Sequence, residues 1–306
     1  MKIGDLSVTG LSDGYMAAPV RFSKATPTFA ASDVHCAMFR GDGMFVCRIG
    51  AFLIKSGDRT LLIDAGAGRS NGSPIASRSD EIAALLRAQG EPEDQVPRTL
   101  ANFARLELKT GSLPAELARA GVRAEEITDV VFTHLHFDHI GWATANGRPC
   151  FPNATYRAPR PDLEHFKGTT QHERLVTALF GSEPVPDTLA PISGRLEPWD
   201  ADATIAPGVS VRMVPGHTPG NSIVILHSRD QRAMLLGDVV HCPLELMDDD
   251  FNLLGDFDQA LADRVRVQVA RELENTHTLV SASHFPEAQF GRLLMGQGAR
   301  KWVPVG

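Results

Sequence analysis

Two stretches of this chain repeat one pattern, and that pattern restricts the fold more than any other feature. AFLIKSGDRTLLIDAG (Ala51 to Gly66) and SIVILHSRDQRAMLLGDV (Ser222 to Val239) each run through an apolar strand, a turn containing Asp, a second apolar strand and an Asp at the strand's end. Gly and Asp tolerate the positive φ of a tight turn, so the spacing predicts two hairpins. Chance can produce two similar hairpins. A carboxylate at both strand ends, however, is what a duplicated β-rich half-domain would carry. Two sheets packed face to face with helices outside is the layered arrangement that buries both halves.

The remaining elements fit around that frame. Met44 to Ile54 and Thr60 to Ile63 read as the strands of the first hairpin, joined by Ser56-Gly57-Asp58. Helices are expected at Asp80 to Ala88, Leu113 to Ala120, Glu173 to Phe180 and Gln259 to Leu273, from apolar residues at helical spacing. Ser112 is placed to cap the second of these and Gly121 to end it. Strands are expected at Ile127 to Phe132, Val209 to Val214, Ser222 to His227, Ala233 to Leu236 and Thr278 to Ala282. Between Gly66 and Thr110 the texture changes, as in an inserted excursion that could form a lid, a wall of a site or an oligomer contact. The 306 residues are expected to form a single domain, 1–306, of α+β class with 66–110 as the insertion.

Composition removes several classes of function. Hydrophobic residues at 43% and charged residues at 22% are ordinary globular usage, which excludes disorder and fibrous structure. No apolar run approaches the ~20 residues of a membrane span, and the first residues hold no apolar signal-peptide core. A net charge of -7 without a Lys/Arg cluster disfavours nucleic acid and anionic membranes as partners. Cys36, Cys47, Cys150 and Cys242 form no CxxC pair, which fits free thiols in a reducing, cytoplasmic setting.

The chemistry concentrates in Thr133-His134-Leu135-His136-Phe137-Asp138-His139. Residues two apart on an extended segment point the same way, so His134 and His136 can converge on one cation. The following turn can bring Asp138 and His139 to a second position beside it. Imidazole and carboxylate suit zinc, and also iron, manganese or cobalt. Solvated or core histidines beside a strand are the bland alternative, but His is only 11 of 306 residues, so this density of ligands is rare. His217 in a tight Pro-Gly turn, Asp238 after a strand and His284 after another each end a strand, where a site is readily built. Each alone is more often structural; together they make a set.

THLHFDH, PGHTPG, LLGDVVH and SHFP, in that order, resemble the metallo-β-lactamase-fold hydrolases over about Phe45 to Arg292. The resemblance implies a four-layer αββα sandwich with a dinuclear centre at one end. His134, His136 and His217 would hold one metal; Asp138, His139 and His284 the other; Asp238 would bridge them. Asp64 matches the family Asp that hydrogen-bonds to a ligand and fixes its orientation, although a turn-forming Asp reads equally well there. A bridging Asp238 argues against the zinc β-lactamases proper. His241-Cys242-Pro243-Leu244 replaces the AGCGR-like stretch of glyoxalase II-type thioesterases, and the chain lacks the flavodoxin domain of flavodiiron reductases and the basic or clamp domain of the nucleases. What remains is similar to the N-acyl-homoserine lactonases, related lactonases and methyl parathion hydrolase, which FPNATY (Phe151 to Tyr156) and SHFP also resemble. Homoserine lactonases place a Tyr three residues after the bridging Asp to polarise the substrate carbonyl. Here His241 stands in its place, either donating a hydrogen bond to that oxygen or acting behind the site. Asn221 replaces a second, non-ligating His of PGHTPGH-type relatives.

The expected function is therefore hydrolysis of a lactone or carboxylic ester, by a hydroxide formed between two divalent cations, zinc foremost. Asp138 would shuttle the proton to the leaving group. Phosphotriester hydrolysis is the alternative within the same chemistry; a non-catalytic relative and an iron-dependent oxygenase are further ones. Phe137, Trp142 and Phe285 could line a pocket, with ordinary core packing the plainer role. A small-molecule substrate is the expected partner, and the 66–110 segment makes a homodimer plausible.

Overall fold

The computed structural model describes residues 1–19, 38–69, 75–251, 253 and 255–305; Cys36 and positions 70–74 of the expected insertion lie outside them. The two hairpins form as expected, Met44–Ser56 with Arg59–Ile63 and Ser222–Ser228 with Gln231–Leu235. They lie in different sheets. The first sheet runs Lys2–Ile3, Leu6–Pro19, Met44–Ser56, Arg59–Ile63, Asp129–Val131, Thr155–Pro159, Leu196–Trp199, with Glu107–Thr110 also paired to Leu6–Pro19. The second runs Ala203–Ala206, Val209–Met213, Ser222–Ser228, Gln231–Leu235, Leu279–Ser281, Gly291–Gly296, Ala299–Pro304.

The repeat extends beyond the hairpins. Arg59–Ile63 pairs in parallel with Asp129–Val131, and Gln231–Leu235 pairs in parallel with Leu279–Ser281. Each sheet thus has a hairpin strand and a parallel neighbour whose ends emerge together. Asp64 and His134 leave one sheet this way, and Asp238 and His284 leave the other.

Alternation along the strands makes the layers. Phe52, Ile54, Leu61, Ile63 and Val131 point between the sheets, against Val209, Val211, Val224, Leu226 and Leu235. Leu53, Leu62 and Val130 point the other way, packing against Leu113 and Leu117 of the helix Leu113–Arg119. On the far face Ile223, Met234 and Val280 pack against Val269, Ala270 and Leu273 of the helix Gln259–Leu273. Successive side chains of a strand face opposite ways, so each strand feeds the inter-sheet core and an outer helical layer at once. The result is an α+β fold of four layers, αββα.

Two local features depart from expectation. Ser112 occupies the residue before Leu113–Arg119 but makes no capping bond through its side chain. Asp13 does that work from a distant strand, accepting from the backbone N–H groups of Gly111 and Leu113 at 3.1 and 2.9 Å. The loop-rich middle section also holds the helices Arg160–His165 and Val185–Leu189, both too short to show a helical period. Among the described residues no helix is long and apolar enough to cross a membrane.

Candidate metal centre

The chain delivers its candidate donors from strand ends. After Asp129–Val131 the chain bends at Thr133 and His134 and is extended again at His136, and the one-turn helix Phe137–Ile140 then carries Asp138 and His139. The loop bearing His217 is closed by hydrogen bonds from Val214 N to Asn221 O (2.7 Å) and from Gly216 N to Thr218 O (3.1 Å). Gly237 precedes Asp238 at φ +53°, and a Cβ there would lie 2.9 Å from the Ser222 carbonyl and 3.0 Å from Thr133 Cβ, so only glycine fits between the two sheets. One fully buried carboxylate joins two of these loops. Asp162 accepts from Leu135 N at 3.0 Å, Thr218 Oγ1 at 2.9 Å and Gly220 N at 2.6 Å.

All seven expected donors converge. His134 Nε2 lies 3.1 Å and His217 Nε2 2.9 Å from His136 Nδ1. Beside them, His284 Nε2 is 3.3 Å from His139 Nε2 and 3.6 Å from Asp138 Oδ2. Asp238 sits between the groups: its Oδ2 is 3.1 Å from His284 Nε2, 3.4 Å from His217 Nε2 and 3.8 Å from His134 Nε2, and its Oδ1 is 3.3 Å from His139 Nε2.

The outward nitrogens decide what the inward ones carry. His139 Nδ1 donates to Asp64 Oδ2 (2.9 Å), His217 Nδ1 to Asp256 Oδ1 (2.9 Å) and His284 Nδ1 to the Arg48 carbonyl (2.5 Å). His134 Nδ1 donates to Thr133 Oγ1 (3.1 Å), whose own proton goes to Asp64. In its neutral form each of these four rings has one N–H, held on the outer nitrogen, so the inward nitrogen then presents a lone pair. Lone pairs 3.3 Å apart on His139 and His284 repel unless a proton or a cation lies between them. Asp238 Oδ1 is buried without a hydrogen-bond partner. These residues fit divalent cations, and the acceptors behind each imidazole are the arrangement usual for ligating histidines.

Residues 46–284 match the model of the Metallo-beta-lactamase superfamily. The chain belongs to this superfamily. An N-acyl homoserine lactonase from Bacillus cereus is 25% identical over 146 residues, covering 48% of this chain and 51% of that protein. One from Bacillus thuringiensis subsp. kurstaki, AiiA, is 25% identical over 147 residues. The chain thus spans about half the length of the curated relatives it matches. Among solved structures, the dizinc quorum-quenching lactonase AidC in complex with a product superposes with a TM-score of 0.74 at 23% identity, over 100% of this chain and 96% of that one. The hydrolase AbOPH superposes at 0.76 and 22%, with the same coverage. At these identities the structural likeness is one of fold.

Burial and charge oppose each other throughout this superfamily site. Burial disfavours the Asp238 carboxylate, but His284, His139 and His134 outweigh it and hold its pKa well below the usual range. Burial likewise opposes charge on His139, where Asp238 and Asp64 prevail and raise its pKa well above that of a free imidazole. His134, buried and next to His139, is pushed well down. Asp64 accepts from Thr133 N (2.8 Å), Ser283 Oγ (3.1 Å) and His139 Nδ1.

His241 lies at the same cluster, its Nε2 3.4 Å from Asp238 Oδ2. Asn221 is buried outside the cluster, bracing its own turn.

A cavity of about 450 Å³ opens on the cluster, walled mostly by apolar groups. Its wall includes Phe45, Thr99, Phe103 and Leu106, the last three from the 66–110 segment. Helices Ser79–Ala88 and Val96–Phe103 of that segment pack against the helix Gln171–Phe180 through Ile82, Leu86, Val96 and Leu175. Of the three aromatics weighed from sequence, Phe137 lines the cavity, stacked on Phe180 at 5.0 Å, whereas Trp142 and Phe285 are core residues.

Sequence reasoning missed Asp162, Asp256, Glu245 and Arg266. Asp256 meets the site through a long-range partner, His217, and Asp162 does so through Leu135. One signal was available: Asp256 lies two residues before Asp258, which caps the helix Gln259–Leu273 by accepting from Leu261 N.

Proposed function

We propose that this chain is a dinuclear metal-dependent hydrolase of a lactone or carboxylic ester with an apolar acyl portion. The observation that carries this reading is the opening of an apolar cavity directly onto a cluster whose imidazoles turn their lone pairs inward around the Asp238 carboxylate. His134, His136 and His217 would hold one cation, Asp138, His139 and His284 the other, with Asp238 shared. When bound, such a pair supplies a water acidified to near neutrality and an electrophilic contact for a carbonyl oxygen. Thr133, Asp64, Asp256 and the Arg48 carbonyl keep the four imidazole protons on the outer nitrogens.

The residues around the cluster supply the rest. Phe103, Leu106, Val176 and Phe137 exclude water from the acyl chain and orient it toward Asp238. Asp138 lies at the cavity floor within reach of His284, where its carboxylate can take up a proton and hand it to a leaving alkoxide. The lactonase relatives support a lactone as the substrate class, and the dizinc lactonase AidC, similar in fold, supports zinc among the metals that this donor set admits.

Initial rates on a γ-lactone bearing an acyl chain, an aryl ester and a phosphotriester test this reading. Turnover of the lactone or ester that is abolished by chelator and restored by zinc is the expected result. Turnover of the phosphotriester alone would overturn it.

A further inference from the structure

We propose that His241 is an eighth metal ligand, directed at the cation on the His134, His136 and His217 side, an inference that rests on the metal-dependent reading above. Its Nε2 lies 3.4 Å from Asp238 Oδ2, the same separation as His217 Nε2 from that oxygen. Donor atoms sharing one tetrahedral zinc at the usual bond lengths lie roughly 3.3–3.4 Å apart. The donor atoms of His217, Asp238 and His241 all fall within 4.8 Å of one another, as do those of His134, His136 and His217. The His241 ring is held on its other side by near-parallel stacking on His284, at 5.7 Å and 18°.

The group behind His241 distinguishes a ligand from a hydrogen-bond donor. Glu245 Oε2 lies 3.5 Å from His241 Nδ1, at ion-pair distance. That carboxylate is fully buried and fixed, accepting from the backbone N–H of His241 at 2.5 Å, of Cys242 at 3.3 Å and of Leu253 at 2.9 Å. Carboxylates face both ring nitrogens, Glu245 at Nδ1 and Asp238 at Nε2. A cation that takes up the Asp238 charge would leave Glu245 as the group that favours a proton, on Nδ1, and free the Nε2 lone pair for the cation. A neutral ring donating to a substrate oxygen would need the opposite tautomer. The placement is a looser counterpart of Asp256 behind His217 and Asp64 behind His139: those carboxylates hydrogen-bond to Nδ1 at 2.9 Å, whereas His241 Nδ1 is buried without a hydrogen bond and Glu245 stands 3.5 Å from it. A single buried guanidinium joins two of the three, since Arg266 reaches Asp256 at 3.2 Å and Glu245 at 3.9 Å. His217 and His241 are therefore oriented as a pair from one anchor.

Where the resembling lactonases carry a phenol, this chain carries a nitrogen donor of the kind that builds the rest of the site. Added coordination from His241 would hold the adjacent cation more tightly and make its environment more crowded.

The test compares the wild type with His241→Ala, His241→Tyr and Glu245→Gln, each stripped of metal and reloaded with zinc or cobalt. Competition with a chromophoric chelator reads affinity, and the visible absorption of the cobalt form reads coordination number. Thermal unfolding of the metal-free proteins reports whether each variant folds. The expected result is two cations per wild-type chain. In His241→Ala and His241→Tyr, one of the two should be held at least tenfold more weakly, with a changed cobalt spectrum. Glu245→Gln should shift both readouts in the same direction by less. A folded His241→Ala protein with wild-type chelator competition and an unchanged cobalt spectrum would overturn the proposal while leaving the dinuclear reading intact. A wild-type chain that takes up no cation would overturn both.

Discussion

Asp64 Oδ2 lies 2.9 Å from His139 Nδ1, and neither side chain is exposed at all. Asp64 ends a strand of the first sheet at φ +59°, a conformation that few residues other than Gly, Asn and Asp adopt readily. Asp64→Asn keeps that backbone acceptable but replaces one acceptor oxygen with an amide donor. The amide turned toward His139 would drive the ring to its other tautomer and place an N–H where a lone pair now points inward. Cation affinity on the Asp138, His139 and His284 side should fall about 10- to 100-fold, the usual cost of losing a carboxylate behind a ligating histidine. Metal content after dialysis, together with kcat/KM on the lactone, checks this; wild-type values for both would refute it.

Asp162 holds together the loop carrying His134 and His136 and the loop carrying His217, through three donors on its two oxygens. Asn offers one acceptor oxygen, so Asp162→Asn turns an amide toward at least one donor, a loss of about 1–3 kcal/mol. The size of that loss should depend on pH. Burial pushes the Asp162 carboxyl up to about 6, although Thr218, Gly220 and Leu135 all favour the ionised form. A folded-state pKa above the unfolded value means the native protein binds this proton more tightly. Its contribution to stability is therefore greatest below about pH 4 and falls as pH rises toward about 6. The stability margin of wild type over Asp162→Asn should narrow across that window, by up to about 3 kcal/mol. Urea unfolding of both metal-free proteins at pH 4.5, 5.5 and 7 measures it, since groups common to both cancel in the difference.

The parts legible in the sequence were those whose signal is local. Two hairpins with carboxylates at their ends, and four potential ligands in six residues, announce themselves through period and spacing. The two packed sheets followed from the hairpins, and the full set of seven donors from the resemblance carried by THLHFDH, PGHTPG, LLGDVVH and SHFP. What stayed hidden are contacts made by single residues across long sequence distances. Asp13 replaces Ser112 as the cap of a helix 100 residues away because a buried carboxylate on a neighbouring strand reaches the free N–H groups first. Asp162 likewise finds its partners, Leu135, Thr218 and Gly220, only across 27 to 58 residues, and Asp256 reaches His217 across 39. The wall role of Phe103 and Leu106 depends on how the helices of the 66–110 segment lean on Gln171–Phe180, which no periodicity encodes.

Removing the cations should loosen the junction between the sheets. His139 and His284 come from opposite sheets with their inward nitrogens 3.3 Å apart; without a cation the Asp238 charge draws protons onto these buried rings, and those protons crowd the gap that a cation would fill. Chelation should lower Tm, and zinc should restore it in proportion to the logarithm of its free concentration. A ligand at 1,000 times its Kd adds about 4 kcal/mol to the native state. Differential scanning of the apo protein over a zinc titration checks this, and a Tm insensitive to zinc would argue against a cation bridging the two sheets.

The apolar wall should set which acyl chains are processed. Phe103 ends the helix Val96–Phe103 and faces the cavity with Leu106 and Val176. Each methylene transferred from water into such a wall contributes about 0.8 kcal/mol, a factor of roughly four in kcal/mol-to-rate terms. Phe103→Ala removes an aromatic surface that a long chain would cover and a short one would not reach. The kcat/KM ratio of a decanoyl to a butanoyl lactone should therefore fall about tenfold in the variant, while the butanoyl value stays within about twofold of wild type. Because Phe103 is not one of the candidate donors, metal content should not change. An unaltered ratio would place the acyl chain elsewhere in the cavity, along the side lined by Phe45 and Leu253.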